Sequence, residues 1–562
     1  MGWNFFFSLI LIITLKNNSS QIIAEDEQMK LSLGTNLNII ADWSTEIPFL
    51  DAFKSSRKWM TQCKKGEPGC TGFWQTNEYE KLNLDEYGWV KSLPAPEEEP
   101  GYTQVGTLMF RGIDGNYPGG KYLVLYEGEG TIEYGYDAKK DNIASSPGRD
   151  VINVTPSNAG IYLAITSTDP NKTGNYIRNI NVIKAEEETT YAAEIFNPVF
   201  LEKIRKFSTV RFMDWMKTNN SEQKEWENRP KIETVSYADQ GSPIEIMVEL
   251  ANRLEVEPWF TMPHQATDEY IKNFAQMVKE SLKYNLNVYI EYSNEVWNPQ
   301  FEQAKWVEEQ GKTEWKQNRK NGYKARLNWH GKRTVEMCEI WKEVFEEEKN
   351  RIICVLGAQA ANSWTVTEAL DCPLWEKKPC YKHGIDAVAI APYFGGYIGS
   401  KKHESQVENW TVEQLFQEIN QGGVLIDGLS GGAIKQAVEN MKKNLTIARK
   451  RKLQLIAYEG GQHLAGKQGV ENNQTITDLF ITANRDPQMY NVYKNYLNQW
   501  KNLGGGLFMH YSDIGKPSKW GSWGALENVY QQSSPKYDAL MDFIEFINSE
   551  EKITLPEEWL EK

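Results

Sequence analysis

From residue 200 onward the chain alternates short apolar runs with longer amphipathic stretches, and this alternation restricts its possible folds more than any other feature. The runs are TVRFMDWM (209–216), VEPWFTMPHQ (256–265), LNVYIEYSNE (286–295), RIICVLGAQ (351–359), GIDAVAIAPYF (384–394), LQLIAYEGG (453–461) and GGLFMHYSD (505–513). Between them, Ile244 to Leu254, Glu269 to Lys283 and Lys332 to Lys349 repeat apolar residues at helical spacing on a charged background. Strands apolar on both faces and separated by helices belong to a parallel sheet covered on both sides. Seven such units fit either a doubly wound sheet or a closed barrel. An eighth run, KLSLGTNLNIIADW (30–43), favours the barrel, and a helix is expected after it from Pro48 to Met60.

The texture changes between the first and second of these units. After the Pro/Glu-rich LPAPEEEPG (93–101) come short β-like runs near 104–110, 121–126, 131–136, 149–154, 160–166 and 176–183. Turn segments such as GNYPGG and ASSPG separate them, the pattern of a small antiparallel sandwich. The expected organisation is an α/β (β/α)8 barrel built from 30–84 and 190–545, with a β-sandwich, 95–186, inserted after the first barrel unit.

Composition narrows the partner. A net charge of -14 opposes a polyanion such as nucleic acid. With 20 Trp and 27 Tyr, the chain has enough flat aromatic surface to stack on an uncharged ligand as well as to fill a core. The apolar run Phe5 to Leu15 is short for a membrane span and is followed by polar and then acidic residues. It reads as a signal peptide, 1–24, and so as a secreted protein with no membrane attachment after cleavage; an N-terminal anchor is the alternative. Cys63 with Cys70 and Cys372 with Cys380 would each close a short polar loop in an oxidising compartment, whereas Cys338 and Cys354 are either a third bridge or two buried thiols. Glycosylation sequons occur at Asn153, Asn171, Asn219, Asn409, Asn444 and Asn473.

In a parallel barrel the residues that end each strand share one pocket. Here those ends supply Asn36 and Asp42-Trp43, Arg211 and Asp214-Trp215, His264-Gln265, Asn294-Glu295, Gln359, Tyr393, Glu459, and His510-Tyr511 with Asp513. Glu295 after strand four and Glu459 after strand seven would face each other across the mouth. Two carboxyls about 5–5.5 Å apart, one protonated and one ionised, are what retaining hydrolysis of a glycosidic bond requires. Arg211 would hold Glu459 ionised, and the ring of Trp297 would help keep Glu295 protonated. No metal or cofactor enters this chemistry.

These residues resemble clan A glycoside hydrolases, the group that includes family-five-type cellulases and mannanases. In that clan an Asn-Glu pair ends strand four, with the Glu as acid/base, and a Glu ending strand seven is the nucleophile. Asn294-Glu295 in YIEYSNEVWN and Glu459 in IAYEGG match both positions, and Arg211, His264 and Tyr393 resemble the supporting residues. The resemblance implies that Asn294 bonds the sugar 2-hydroxyl and Tyr393 positions Glu459. It covers the barrel and not the insertion. Two features depart from the clan. Strand eight lacks the usual Trp, leaving His510, Trp520 or Trp523 as the sugar platform, and the His that often precedes the strand-six Tyr is absent.

The expectation is thus a retaining β-glycoside hydrolase, endo-acting rather than exo-acting, on a β-glucan or related polysaccharide. Transglycosylation uses the same residues, and a non-catalytic carbohydrate-binding or matrix protein on the same barrel is the rival from another class. The alternative for Arg211 is a structural salt bridge with Asp214 or another acid, and for His264 a capped loop histidine. The insertion is either a binding module with Tyr102, Tyr117, Tyr134 or Tyr136 as platforms, or a wall of the cleft.

Overall fold

The computed structural model describes residues 31–64, 70, 74–94 and 101–554. The expected signal peptide and part of the Pro/Glu-rich segment lie outside the described residues. Eight parallel strands close into a barrel in chain order: Leu33–Asn36, Thr209–Arg211, Glu257–Met262, Val288–Tyr292, Ile352–Ala358, Ala387–Ile390, Gln454–Ala457 and Phe508–His510. We refer to them as barrel strands one to eight. Strand one closes the ring by pairing with strand two, Asn36 opposite Arg211, and with strand eight, Thr35 opposite His510. The barrel interior is packed, with Trp259, Tyr289, Val355, Ile456, Tyr458 and Met509 in one buried cluster. The amphipathic stretches 244–254 and 269–283 become the helices Ile244–Leu254 and Asp268–Ser281, which bury their apolar stripes outside the barrel.

Two four-stranded antiparallel sheets are built mainly from the segment between strands one and two. Their orders are Met60–Gln62, Gln104–Met109, Ile161–Thr168, Gly130–Tyr136, and Arg178–Lys184, Gly120–Glu127, Arg149–Val154, Ala138–Lys140. The helix expected over Pro48 to Met60 does not form. One 3-10 turn, Ala52–Ser55, takes its place, because Asp51 Oδ1 accepts from both Phe53 N (3.0 Å) and Val182 N (2.8 Å), and the chain then runs on as a strand pairing Met60 with Gly106. A tertiary contact thereby overrides a marginal local preference. The sheets share a continuous apolar core with the barrel, in which Val105, Ile132 and Ile152 belong to the same buried cluster as Phe212 and Phe260. Polar ties reach the loops after strands one and eight. Arg111 N donates to Asp42 O at 2.8 Å, and Lys516 Nζ bonds Gly112 O at 2.8 Å and Asp114 at 2.6 Å.

All three cysteine pairs are bridged: Cys63–Cys70, Cys372–Cys380 and Cys338–Cys354, the last joining a helix to barrel strand five. Two sequons are structurally spent. Asn444 is fully buried and donates to Ala360 O and Asn440 O, and Asn219 lies part-buried in a polar network below Asn294. Asn153, Asn171 and Asn409 are exposed, while Asn473 caps the helix Gln474–Arg485.

Candidate active site

The site is organised around Arg211, the last residue of strand two and completely buried. Its Nη1 donates to Glu459 Oε1 at 2.9 Å and to Asn36 Oδ1 at 3.0 Å. Its Nη2 donates to Asn294 Oδ1 at 2.9 Å, and Nε and Nη2 together grip Glu291 Oε2 at 3.1 and 2.8 Å. A guanidinium is suited to this because its donors form a fixed planar fork. Burial alone would lower the Arg211 pKa, but Glu291 and Glu459 more than offset it and hold the charge. Its ion-pair partners are these two glutamates, so a structural bridge to another acid, Glu291, exists beside the contact to Glu459, and among the described residues no ion pair joins Arg211 to Asp214.

Glu291 escapes a reading of the sequence. It is an inward residue of strand four, an isolated acid in an apolar run, and nothing in LNVYIEYSNE distinguishes it from a solvated glutamate. In the barrel it is buried, takes a further hydrogen bond from Trp259 Nε1 at 3.0 Å, and faces Gly357, where a Cβ would lie 2.6 Å from its Oε1. The glycine on strand five makes room for it.

Glu295 and Glu459 follow strands four and seven by a few residues, and their surroundings differ. Glu459 is held by Arg211 and by the Tyr393 hydroxyl, which donates to Oε2 at 2.9 Å. Among the described residues Glu295 has no cation in contact. Its Oε1 accepts from Tyr458 OH at 2.9 Å and its Oε2 from Asn298 Nδ2 at 2.9 Å, while its backbone adopts a left-handed φ of 41°. Such a φ is uncommon for a residue with a Cβ. Burial raises the pKa of both acids; for Glu459 Arg211 and Tyr393 offset part of this and leave it above its ordinary value, whereas Glu295 also feels the charge of Glu459 and is pushed up to about 7. Asp214, hydrogen-bonded by Tyr511 OH at 3.1 Å, is raised by burial and then by Glu459 to about 6. Four carboxyls around one guanidinium carry more negative charge than a low-dielectric site tolerates, and the excess is relieved by keeping protons.

The expected supporting residues divide. Arg211 and Tyr393 both bond Glu459, and Asn294 is joined to them through Arg211. Asn294 donates one amide hydrogen to Asn219 Oδ1 at 3.0 Å, and among the described residues the other has no partner. Trp523 lies beside Tyr393, with ring centroids 5.8 Å apart, and against His463 and Tyr511. Trp520 is 62% exposed at the rim, and its carbonyl accepts from Trp523 Nε1. Trp297 is part-buried against the core, its indole nitrogen without a partner.

His510 is a correction. Met509 points into the barrel, so its neighbour His510 points outward into the helical layer, completely buried with Nε2 3.4 Å from Tyr493 OH, and has no face to offer a sugar. His264 is also enclosed, edge-on to Trp306, and its one hydrogen bond from Tyr292 OH goes to its backbone carbonyl. Burial lowers its pKa to about 4, and no hydrogen bond joins it to either acid. Trp215 is core, completely buried. Of the tyrosines named in the insertion, Tyr102 and Tyr117 are buried, Tyr134 donates to Asp150, and Tyr136 alone is well exposed, near Trp74. His463 packs edge-on against both Tyr393 and Trp523, a place that its sequence context does not declare beyond its position four residues after Glu459. Among the described residues no group of three or more His, Cys, Asp or Glu is placed to hold a metal.

No protein-family model and no curated protein sequence matches the chain. Solved structures do. A Bacteroidetes-affiliated GH5 cellulase linked with a polysaccharide utilization locus is 10% identical, with 62% of this chain and 83% of that chain covered and a TM-score of 0.36. A family 5 xyloglucanase from Paenibacillus pabuli is 11% identical, over 64% of this chain and 93% of that one, with a TM-score of 0.35. An exo-beta-agarase is 9% identical, over 93% of this chain and 62% of that one, with a TM-score of 0.35. Many of the structural neighbours are family-five glycoside hydrolases. Likenesses of this size carry no argument about activity or substrate, so the functional reading rests on the site itself.

Proposed function

We propose that the protein is a secreted, retaining β-glycoside hydrolase, endo-acting on a β-glucan or related polysaccharide. One observation carries this reading: two carboxyls after strands four and seven stand in environments that separate their protonation states. Glu459 is ion-paired and hydrogen-bonded, as a nucleophile needs to be. Glu295 is bonded only by neutral donors and is raised to about 7, as a general acid needs to be. In the first step a Glu459 oxygen attacks the anomeric carbon, the bond to the leaving oxygen breaks, and the Glu295 proton passes to that oxygen. In the second, Glu295 takes a proton from water, whose oxygen displaces Glu459 from the ester. Trp523 and Trp520 would supply the apolar faces for sugar rings, and the free Asn294 amide hydrogen a contact to a hydroxyl. The two antiparallel sheets are taken as an accessory unit walling the cleft, since their core is continuous with the barrel and their polar ties go to loops at its mouth. The three disulfides, and the absence among the described residues of any helix long and apolar enough to cross a membrane, accord with an extracellular location.

The test is reducing-sugar release from a panel of β-linked polysaccharides by wild type, Glu295→Ala and Glu459→Ala. Wild-type release that both substitutions abolish supports the reading. If wild type binds glucans but releases nothing, the chain is a binding protein on this barrel. A 2-fluoro glycoside that labels a residue other than Glu459 would displace the nucleophile assignment.

A further inference from the structure

A second pair of carboxyls lies apart from the catalytic pair. Glu46, in the loop after strand one, and Asp513, in the loop after strand eight, are both buried and hydrogen-bond each other. The Asn38 N–H is shared between them, 3.3 Å from Glu46 Oε1 and 3.1 Å from Asp513 Oδ1, and Glu46 Oε2 accepts from Trp215 Nε1 at 3.4 Å. Asp513 Oδ2 is buried with no donor aimed at it. The donors that bond the pair are the Asn38 and Ile514 N–H groups and the Trp215 indole, all uncharged, and among the described residues neither acid has a salt bridge. Two carboxylates in hydrogen-bond contact without a cation cannot both be ionised, so one proton belongs to the pair.

The loop anchored by this contact carries the candidate sugar platforms. Asp513 N donates to Asn36 O at 3.0 Å, and Asn38 Nδ2 donates to Ile514 O at 2.7 Å. Ser512 N to Trp523 O, Ala525 N to Ser512 O and Leu526 N to Asp513 O then close residues 512–526 into a loop with Trp523 at its base and Trp520 in the Ser518–Gly521 turn at its tip. We propose that Glu46 and Asp513 share one proton and thereby act as a positioning pair, holding the Trp520–Trp523 loop against the strand-one loop so that it can bind saccharide. Burial, first of all, raises both groups, Asp513 to about 7 and Glu46 well above its ordinary value, so the proton is present at neutral pH and leaves as the medium becomes alkaline. Deprotonation places two like charges in contact and opens the loop.

This inference rests on the hydrolase reading for its binding readout and not for its second measurement. KM of the full chain would be followed from pH 6 to 9 for wild type, Glu46→Gln and Asp513→Asn, alongside hydrogen exchange of residues 512–526 corrected for intrinsic base catalysis. An amide replaces the shared proton with N–H donors that do not titrate over this range. The wild-type KM is expected to rise about tenfold or more by pH 9, since each unit above a controlling pKa is worth up to a factor of ten. Exchange of the loop should quicken in step, while both quantities stay nearly flat in Glu46→Gln. Asp513→Asn provides the same comparison should Glu46→Gln fail to fold. Superimposable wild-type and variant profiles would overturn the proposal. If no saccharide is turned over, the exchange data decide alone: pH-dependent opening abolished by the amide sustains the pair while the hydrolase reading falls, and pH-independent exchange removes the pair.

Discussion

Tyr458→Phe tests the assignment of Glu295 as the acid without removing either carboxyl. The Tyr458 hydroxyl is buried and donates to Glu295 Oε1 at 2.9 Å, stabilising the ionised form and lowering a pKa that burial and Glu459 have raised to about 7. A hydrogen bond to a charged group is worth about 1.5–3 kcal/mol, and at about 1.4 kcal/mol per pH unit its loss should raise Glu295 by about 1–2 units. Asn298 still bonds the other oxygen, and the phenyl ring preserves the packing, so a shift near the lower end, about 1 unit, is expected. On the proposed mechanism Glu295 must be protonated for the first step, so the alkaline limb of kcat/KM against pH should move from about 7 to about 8. At pH 8 wild type would then keep about a tenth of its acid form and the variant about half, a relative gain of about fivefold, partly offset because a weaker acid transfers its proton less readily. The assay is a pH–rate profile on a soluble substrate with a poor leaving group, where protonation of the departing oxygen limits the rate. A uniform fall in rate with the limb unmoved would mean that Tyr458 only orients Glu295. A limb displaced toward acid, or fixed at its original pH in a fully active variant, would refute the reasoning.

Three further outcomes follow from the same structure. Arg211→Met should destabilise the fold by about 3–5 kcal/mol, because Glu291 and Glu459 are left buried without their counter-charge, and chemical denaturation should show it even where activity is undetectable. Replacing Cys338 and Cys354 together by Ala should cost about 3 kcal/mol, since their bridge closes a 16-residue separation in the unfolded chain, and the denaturation midpoint should fall while the pH–rate limbs stay in place. For protein secreted from a glycosylating host, Asn153→Gln should remove a glycan's mass and Asn444→Gln should remove none, because Asn444 is enclosed and already bonded to Ala360 O and Asn440 O; a mass change at Asn444 would contradict its burial.

The barrel was legible because parallel strands buried on both faces read as unbroken apolar runs, and the two acids were legible because they end such runs. What stayed hidden depends on which way a side chain points. His510 and Met509 are neighbours on a three-residue strand, and one position decides whether a residue faces the barrel or its helices. Glu291 was invisible for a related reason, because an acid inside a strand declares itself only when its partner is known, and Arg211 lies on another strand. Glu46 and Asp513 are separated by most of the chain and meet only when the barrel closes. The helix expected at 48–60 failed because Asp51 binds Val182 across the fold, a contact no local pattern encodes.

Strand seven adds a coupling that neither acid shows alone. Tyr458 and Glu459 are consecutive, yet one holds Glu295 and the other is held by Arg211, so the end of this strand fixes the position of both carboxyls at once. Their charges are linked as well, since Glu459 contributes to the raised pKa of Glu295. On the proposed mechanism, ester formation removes the Glu459 charge just after Glu295 has given up its proton. That loss lowers the pKa of Glu295 and stabilises it as a carboxylate, ready to accept a proton from water. The reversal from acid to base then needs no movement of either side chain: it follows from two carboxyls that feel each other around a single guanidinium.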